Sequence, residues 1–306
     1  MAKSRSNFRI TAGSAAFNII NYAIFGLFTL ICIYPFYYLI INTISANNLS
    51  ENGLINFLPR QIQFKNYVEV LKLKGLGHAA LISVLRTLIG TLFTVFSSAY
   101  LGFMFIQKKI WKRRLWYRAL VITMYFNAGI IPSFITMHIL HLTNNFWVYI
   151  IPAIVQPFNI ILVKTYLESV PESLQQAAEI DGAGVLRIFA QIMLPLSLPI
   201  LATIAIFSAV GQWNSFQDTL IYVADQKLYS LQYVLYVYIN QSNSLAQLIR
   251  TSTITSSEAM LNLATKQTPT SVRMTVSVIV VMPIILVYPI FQRFFIKGIM
   301  IGSVKG

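Results

Sequence analysis

Six apolar runs follow one another along the chain, each long enough to cross a bilayer core that needs about 20 helical residues. They cover residues 19–41, 79–106, 119–139, 146–166, 198–223 and 272–295. The first lies in a stretch without a charged residue from Ile10 to Ser50, and the second is interrupted only by Arg86. Pro132, Pro152, Pro157, Pro283 and Pro289 fall inside later runs. Membrane helices tolerate such prolines because neighbours can satisfy the freed carbonyls. The pattern predicts an all-α integral membrane protein, a single transmembrane domain over 1–306 with six spanning helices.

The break between the fourth and fifth runs is different from the others. Residues 168–197 are polar and helix-forming. Pro171 suits a first helical position, where its missing N–H costs nothing. Leu174, Ala177, Ala178 and Asp181 then share one helical face. Gly182 predicts a helix end or sharp turn, since glycine accepts positive φ. Leu186, Phe189, Ala190 and Met193 share a face of a second short helix, and Pro195 and Pro199 open the next apolar run. A membrane helix needs no such helix–turn–helix insert, which points to a user outside the bilayer.

Composition agrees with the membrane class. Of 306 residues, 56% are hydrophobic and 10% charged, with mean hydropathy +0.66; soluble domains carry roughly 25% charged residues. Net charge is +14, but its distribution argues against nucleic acid. Lys108, Lys109, Lys112, Arg113, Arg114 and Arg118 crowd one short loop with Trp111, Trp116 and Tyr117 between them, the look of a cytoplasmic loop anchored at the interface. With Lys3, Arg5 and Arg9 also inside, the cytoplasmic parts are 1–18, 107–118, 167–197 and 296–306. The outer parts are 42–78, 140–145 and 224–271. The first apolar run is too long for a signal peptide. Leu231–Ile239 is apolar but too short to span, and residues 240–270 read as polar turns and loops. Cys32 lies in an apolar run and reads as a packing residue.

No zinc-protease, nucleotide-loop or nucleophile-elbow motif occurs in the sequence. His138 and His141 are spaced i, i+3 without a nearby cysteine or carboxylate, and read as interfacial polar residues. Polar residues inside the apolar runs are better candidates, because hydrocarbon makes them costly without a partner or a wet path. Gln212, Trp213, Asn214 and Asp218 cluster in the fifth run, with Gln212, Ser215, Asp218 and Thr219 near one face. A Trp ring beside amides suits a sugar, whose C–H surface stacks while its hydroxyls bond. Arg86 reads either as reaching outward or as facing an aqueous vestibule, and Asn127, Gln156 and Asn159 either as cavity lining or as interhelical contacts. In the insert, Glu168, Glu172, Glu179 and Asp181 outnumber Arg187, an acidic face that anionic lipid repels and a protein partner suits.

The insert also carries a resemblance. Permease subunits of ABC importers have a cytoplasmic motif of the form EAA, two residues, DGA, then an aromatic and Leu-Pro. Ala177-Ala178, Asp181-Gly182-Ala183, Phe189 and Leu194-Pro195 match it in type and spacing, with Gln176 where the family has Glu. The chain resembles the type I permeases along nearly its whole length, within them the carbohydrate group that includes the maltose inner subunit. The Trp213-Asn214 pair is similar to a feature of sugar permeases. Tyr229–Ser242 and Tyr288–Gly306 resemble a Gram-positive oligosaccharide subgroup. The resemblance implies a transport subunit of the type I ABC importer permease fold, moving an oligosaccharide by alternating access. Gln176, Ala177, Ala178, Asp181, Gly182, Ala183 and Phe189 would couple it to the ATPase. Arg86, Asn127, Gln156, Gln212, Trp213, Asn214 and Asp218 would line the substrate path. It further implies no cofactor or metal on this chain, with ATP and Mg bound by the partner ATPase. The implied partners are a paralogous permease, two cytoplasmic ATPase subunits, a lipid-anchored extracellular sugar-binding protein and the lipid bilayer, with no nucleic acid. The implied location is the bacterial plasma membrane with both termini cytoplasmic. A non-sugar ABC cargo and an ATP-independent secondary transporter are the alternatives.

Overall fold

The computed structural model describes residues 12–72, 75–240 and 269–303, and within them the regular elements are all helical. In order they are α1 Ala12–Thr43, α2 Asn47–Glu51, α3 Lys65–Leu71, α4 Leu76–Ile106, α5 Arg113–Tyr125 and α6 Ile130–Ile139, then 3-10 turns over Phe146–Ala153. There follow α7 Pro157–Leu167, α8 Glu172–Ile180, α9 Val185–Leu196, α10 Leu198–Asn214, α11 Gln217–Tyr222, α12 over 231–240 and α13 Pro269–Ser303. Residues 241–268, expected as polar loops, lie outside the described part.

Contacts divide the chain into two compact units, Met1–Val70 with Leu245–Val278 and Leu71–Ser244 with Ile279–Gly306. In the first, a buried amide knot ties the end of α1 to the residues that follow. Asn42 donates to Tyr38 O (2.9 Å) and accepts from Ser50 Oγ (2.8 Å), while Asn66 donates to Thr43 O (3.0 Å) and to Asn47 (2.8 Å). Cys32 is exposed on α1 and not packed as expected, because the residues around it are exposed on every side of the helix.

In the second unit α4 packs against α7 and α10. Two glycines set how closely the helices approach, as small residues do in membrane interfaces. A Cβ at Gly102 would lie 2.7 Å from the Val163 side chain, and one at Gly90 would lie 2.7 Å from Gln212 Nε2. The core between these helices holds Ala99, Phe103, Val163, Leu167, Leu201 and Ile204.

The apolar runs are not six straight helices. Among the described residues, Ala16–Thr43 and Leu76–Ile106 are single helices long and apolar enough to span, and three bent pairs raise the number to five if each is one crossing. The third run breaks between α5 and α6 with a 119° bend. There Gly129 takes φ +85° and Asn127 Oδ1 accepts from Gly129 N at 2.9 Å, a local turn that competes with the helix. The fourth starts as 3-10 turns and bends by 42° into α7. Pro157 has no N–H to offer the Ala153 carbonyl four residues back, and Thr94 of α4 donates to that carbonyl instead, at 2.9 Å. The fifth run ends its helix at Asn214, where Ser215 turns extended with ψ 119°. The sixth lies within α13, whose stretch Arg273–Val287 forms a shorter apolar helix.

Candidate functional site

Arg86 is the centre of a buried polar network built from α4, α10, α11 and the turns before α7. It is 1% exposed, so it does not reach outward to solvent. Its Nε and one terminal nitrogen donate to Gln212 Oε1 at 3.1 and 3.0 Å. The same nitrogen reaches Asp218 Oδ2 at 2.6 Å, and the other donates to Ser215 O at 3.1 Å. The guanidinium also lies 4.3 Å from the centre of the Tyr149 ring, a cation–π contact. Gln212 Nε2 completes the loop by donating to Tyr149 O at 3.0 Å. The break at Ser215 is what turns its carbonyl toward Arg86. A charge so deeply buried needs this many partners, because the interior cannot replace lost hydration otherwise.

The network forms one wall of a cavity of about 450 Å³. Arg86, Gln156, Gln212 and Asp218 of the expected path residues line it, with Asn159, Ser208, Phe158 and Phe207. Asn127, Trp213 and Asn214 do not. Asn127 is spent on the turn before α6, Trp213 Nε1 donates to Val280 O at 3.0 Å, and Asn214 is exposed at the end of α10. Thr219 joins the network from the face expected for it, while Tyr149 and Ser230 carry no such mark in the sequence. Tyr149 OH donates to Leu228 O (2.6 Å) and shares a 3.0 Å contact with Thr219, which in turn meets Ser230 at 3.0 Å. Tyr149 lies at the start of the fourth apolar run and Ser230 beyond the fifth, so only the fold brings them beside Thr219.

The insert is two short helices around one turn. Pro171 caps α8 from just before its first residue, Glu172, and so stands one position outside the first helical place expected for it. At the far end Asp181, Gly182 and Ala183 close the helix with a complete Schellman motif. Ala183 N donates to Ala178 O at 2.9 Å and Gly182 N to Glu179 O at 3.1 Å, with Gly182 at φ +77°. Within α9, a π turn over Phe189–Met193 precedes Pro195.

The faces differ from the expected ones. Ala178, Ile188, Phe189 and Met193 are buried against Ala99, Phe103, Val163 and Leu201, and Phe189 lies 5.3 Å from Phe103 and 5.4 Å from Tyr100, ring centre to ring centre. Phe189 and Ala178, expected to face a partner, therefore anchor the insert to the bundle. Outward stand Gln176, Ala177, Asp181 and Gly182, with Ile180 86% and Leu186 66% exposed. Of the four acidic residues, the three glutamates are paired within the chain and Asp181 alone stands outward without an ion pair among the described residues. Glu168 pairs with Lys164 at 2.8 Å, Glu172 with Lys108 at 2.7 Å and Glu179 with Lys109 at 3.0 Å. Gln107 and Gln175 exchange amide contacts between the last two pairs. What the turn offers outward is the apolar group Ile180, Val185 and Leu186 beside Gln176 and Asp181.

Residues 98–301 match the family described as binding-protein-dependent transport system inner membrane component. The chain belongs to this family. Its members are permease subunits of ABC transporters, with the ATPase on a separate chain. This permease is 30% identical over 95% of its length to the polygalacturonan/rhamnogalacturonan transport system permease protein YtcP of Bacillus subtilis (strain 168), covering 98% of that protein. It is 31% identical to Protein LplC of the same organism, covering 97% of each chain. A solved bacterial ABC transporter involved in importing the acidic polysaccharide alginate has a chain that is 28% identical, with a TM-score of 0.81, covering 93% of this permease and 98% of that chain.

The clamp between 107–109 and α8 responds to pH in a defined direction. Hydrogen bonds from Lys109 and then Gln175 hold the Glu179 carboxyl below its ordinary value of 4.5. A carboxyl depressed on folding contributes stability above its unfolded pKa and loses it as pH falls through the folded one. Protection of α8 amides against hydrogen exchange, corrected for intrinsic rate, is expected to hold from neutral pH to about that ordinary value and fall below it. Glu179→Gln should weaken protection at neutral pH and flatten the pH step. An unchanged step in that variant would assign the response to another group.

Proposed function

We propose that this permease is one half of the membrane channel of an ATP-driven importer that brings an oligosaccharide into the cell. It would pair with a paralogous permease, receive cargo from a lipid-anchored binding protein outside, and rest on two cytoplasmic ATPase subunits that hold ATP and Mg. The relatives' printed cargoes, polygalacturonan/rhamnogalacturonan and alginate, support a glycan cargo. Six crossings with both termini cytoplasmic would put the 168–197 insert on the ATPase side.

The observation that carries the reading is the insert's two-sidedness. Glu168, Glu172 and Glu179 pair with lysines of the permease itself, while Ile180, Val185 and Leu186 stay exposed around the Gly182 turn beside Asp181. An exposed apolar knob outside the bilayer suits a groove on a protein partner. A push on that knob would pass through Phe189 to Phe103 of α4. Roughly 26 Å of α4, at about 1.5 Å per residue, then leads to Arg86. Closure of the ATPases would thus bias the packing of α4 against α10 and α11, which carry the cavity wall. This is a population shift driven by differential binding of ATP to one state.

The test is uptake into proteoliposomes holding this permease, its partner permease and the ATPases, with the binding protein added. Labelled trigalacturonate and arabinotriose are the probes. Uptake that requires ATP and the binding protein is the expected result. Uptake driven by an ion gradient without ATP would contradict it.

A further inference from the structure

The Arg86 cavity shows charge of one sign to whatever enters it. Arg86 and Asp218 are the two ionic residues on its lining, and they are not equally open. The Arg86 side chain is 1% exposed and that of Asp218 36%. All three nitrogens of Arg86 are engaged, on Gln212, Ser215 and Asp218, and the Tyr149 ring lies against the guanidinium. A guanidinium closed in this way is out of reach of a second carboxylate, which would need an exposed fork of donors.

Asp218 is open on its other side. Its Oδ2 accepts from Arg86 at 2.6 Å and from Ser215 Oγ at 2.7 Å, while Oδ1 has no hydrogen-bond partner among the described residues. Three neutral groups on the lining are unpartnered in the same sense, the side-chain amides of Gln156 and Asn159 and the Ser208 hydroxyl. Asn159 is only 7% exposed, so its amide is taken from bulk water without a bond in return, and the cavity is the side from which a partner can come. Gln156 stands exposed at the start of α7. The wall thus offers a carboxylate acceptor, two amides and a hydroxyl, and no reachable cation.

We propose that this cavity selects uncharged sugar rings over uronates, and that Asp218 sets the preference. The hydroxyls of a neutral ring donate to Asp218 Oδ1 and exchange hydrogen bonds with the amides of Gln156 and Asn159. A uronate brings its own carboxylate against Asp218 with no accessible cation between them, and like charges placed together away from bulk water weaken binding. The inference rests on the carbohydrate reading above and narrows it, away from the acidic glycans named for two relatives.

The experiment measures sugar binding by the assembled transporter, both permeases with their ATPases in lipid nanodiscs, without the binding protein, so that the membrane part alone makes the choice. Labelled galactotriose and trigalacturonate, with the same α-1,4 linkage and differing only in the group at C6, are compared by equilibrium dialysis. Wild type is expected to bind galactotriose about tenfold more tightly than trigalacturonate. Asp218→Asn, which keeps an oxygen for Arg86, and Gln156→Lys, which puts a cation on the wall, should each close that gap, chiefly by tighter binding of trigalacturonate. Gln156 is outside the buried network, so its variant keeps the test decisive if Asp218→Asn does not fold. Equal binding of the two sugars by wild type, or binding of neither, would overturn the inference. A gap that neither variant moves would also overturn it and assign the choice to the other permease. ATP-driven uptake of arabinotriose alongside equal binding would sink the charge preference alone, whereas ATP-driven uptake of neither arabinotriose nor trigalacturonate would sink the carbohydrate reading itself.

Discussion

Arg86→Ala is expected to destabilise the permease by about 3 kcal/mol, the lower end for breaking a buried ion pair from one side. The lower end applies because Asp218 is 36% exposed while Arg86 is 1% exposed. The substitution leaves Asp218, the Gln212 oxygen and the Ser215 carbonyl facing one another without the cation that holds them. Thermal unfolding of the detergent-solubilised protein measures the loss. The informative companion is Arg86→Met/Asp218→Leu. Replacing both ions with apolar groups of similar size is often neutral for stability, so the double variant should regain most of the lost stability. It should still fail to transport if the network lines the path. A double variant that is stable and fully active would make the pair purely structural.

Gly182→Val is expected to weaken coupling about tenfold while leaving the bundle folded. A Cβ at this position meets nothing within 4 Å, so crowding is not the cause. The cause is φ +77°, which costs an L-residue about 1–2 kcal/mol and a β-branched one the most. The Schellman turn would rearrange, and with it the spacing of Ile180 and Leu186 across the knob. Sugar uptake and binding-protein-stimulated ATP hydrolysis should each fall by about tenfold, the size of that energy at the turn. Gly182→Asn should stay close to wild type, because Asn accepts the left-handed region. Normal uptake by the valine variant would remove the turn from the coupling path.

Local patterns carried much of this into the sequence. The Gly182 turn, the helix over 76–106 and the polarity of the insert are written within a few residues of themselves. Hydropathy hid the breaks. Asn127 and Gly129 sit inside an apolar run whose average masks the turn they make. The direction each face points was also hidden, because it depends on distant residues. The acidic side of α8 reads as free until Lys108 and Lys109, more than sixty positions earlier, close on it. Phe189 reads as a docking residue until Phe103 and Tyr100 are seen to enclose it. Likewise Trp213 and Gln212 are neighbours in sequence, yet one bonds Val280 O and the other Arg86 and Tyr149.

The central claim is that the exposed turn of this permease sits in a separate ATPase. A photo-crosslinking phenylalanine analogue placed at Leu186, in the transporter assembled with both permeases, the ATPases and the binding protein, tests it most directly. The account predicts a crosslinked product containing this permease and the ATPase, reduced when the same probe is placed at buried Ile188. Crosslinking from Leu186 to lipid alone, with none to the ATPase, would contradict it.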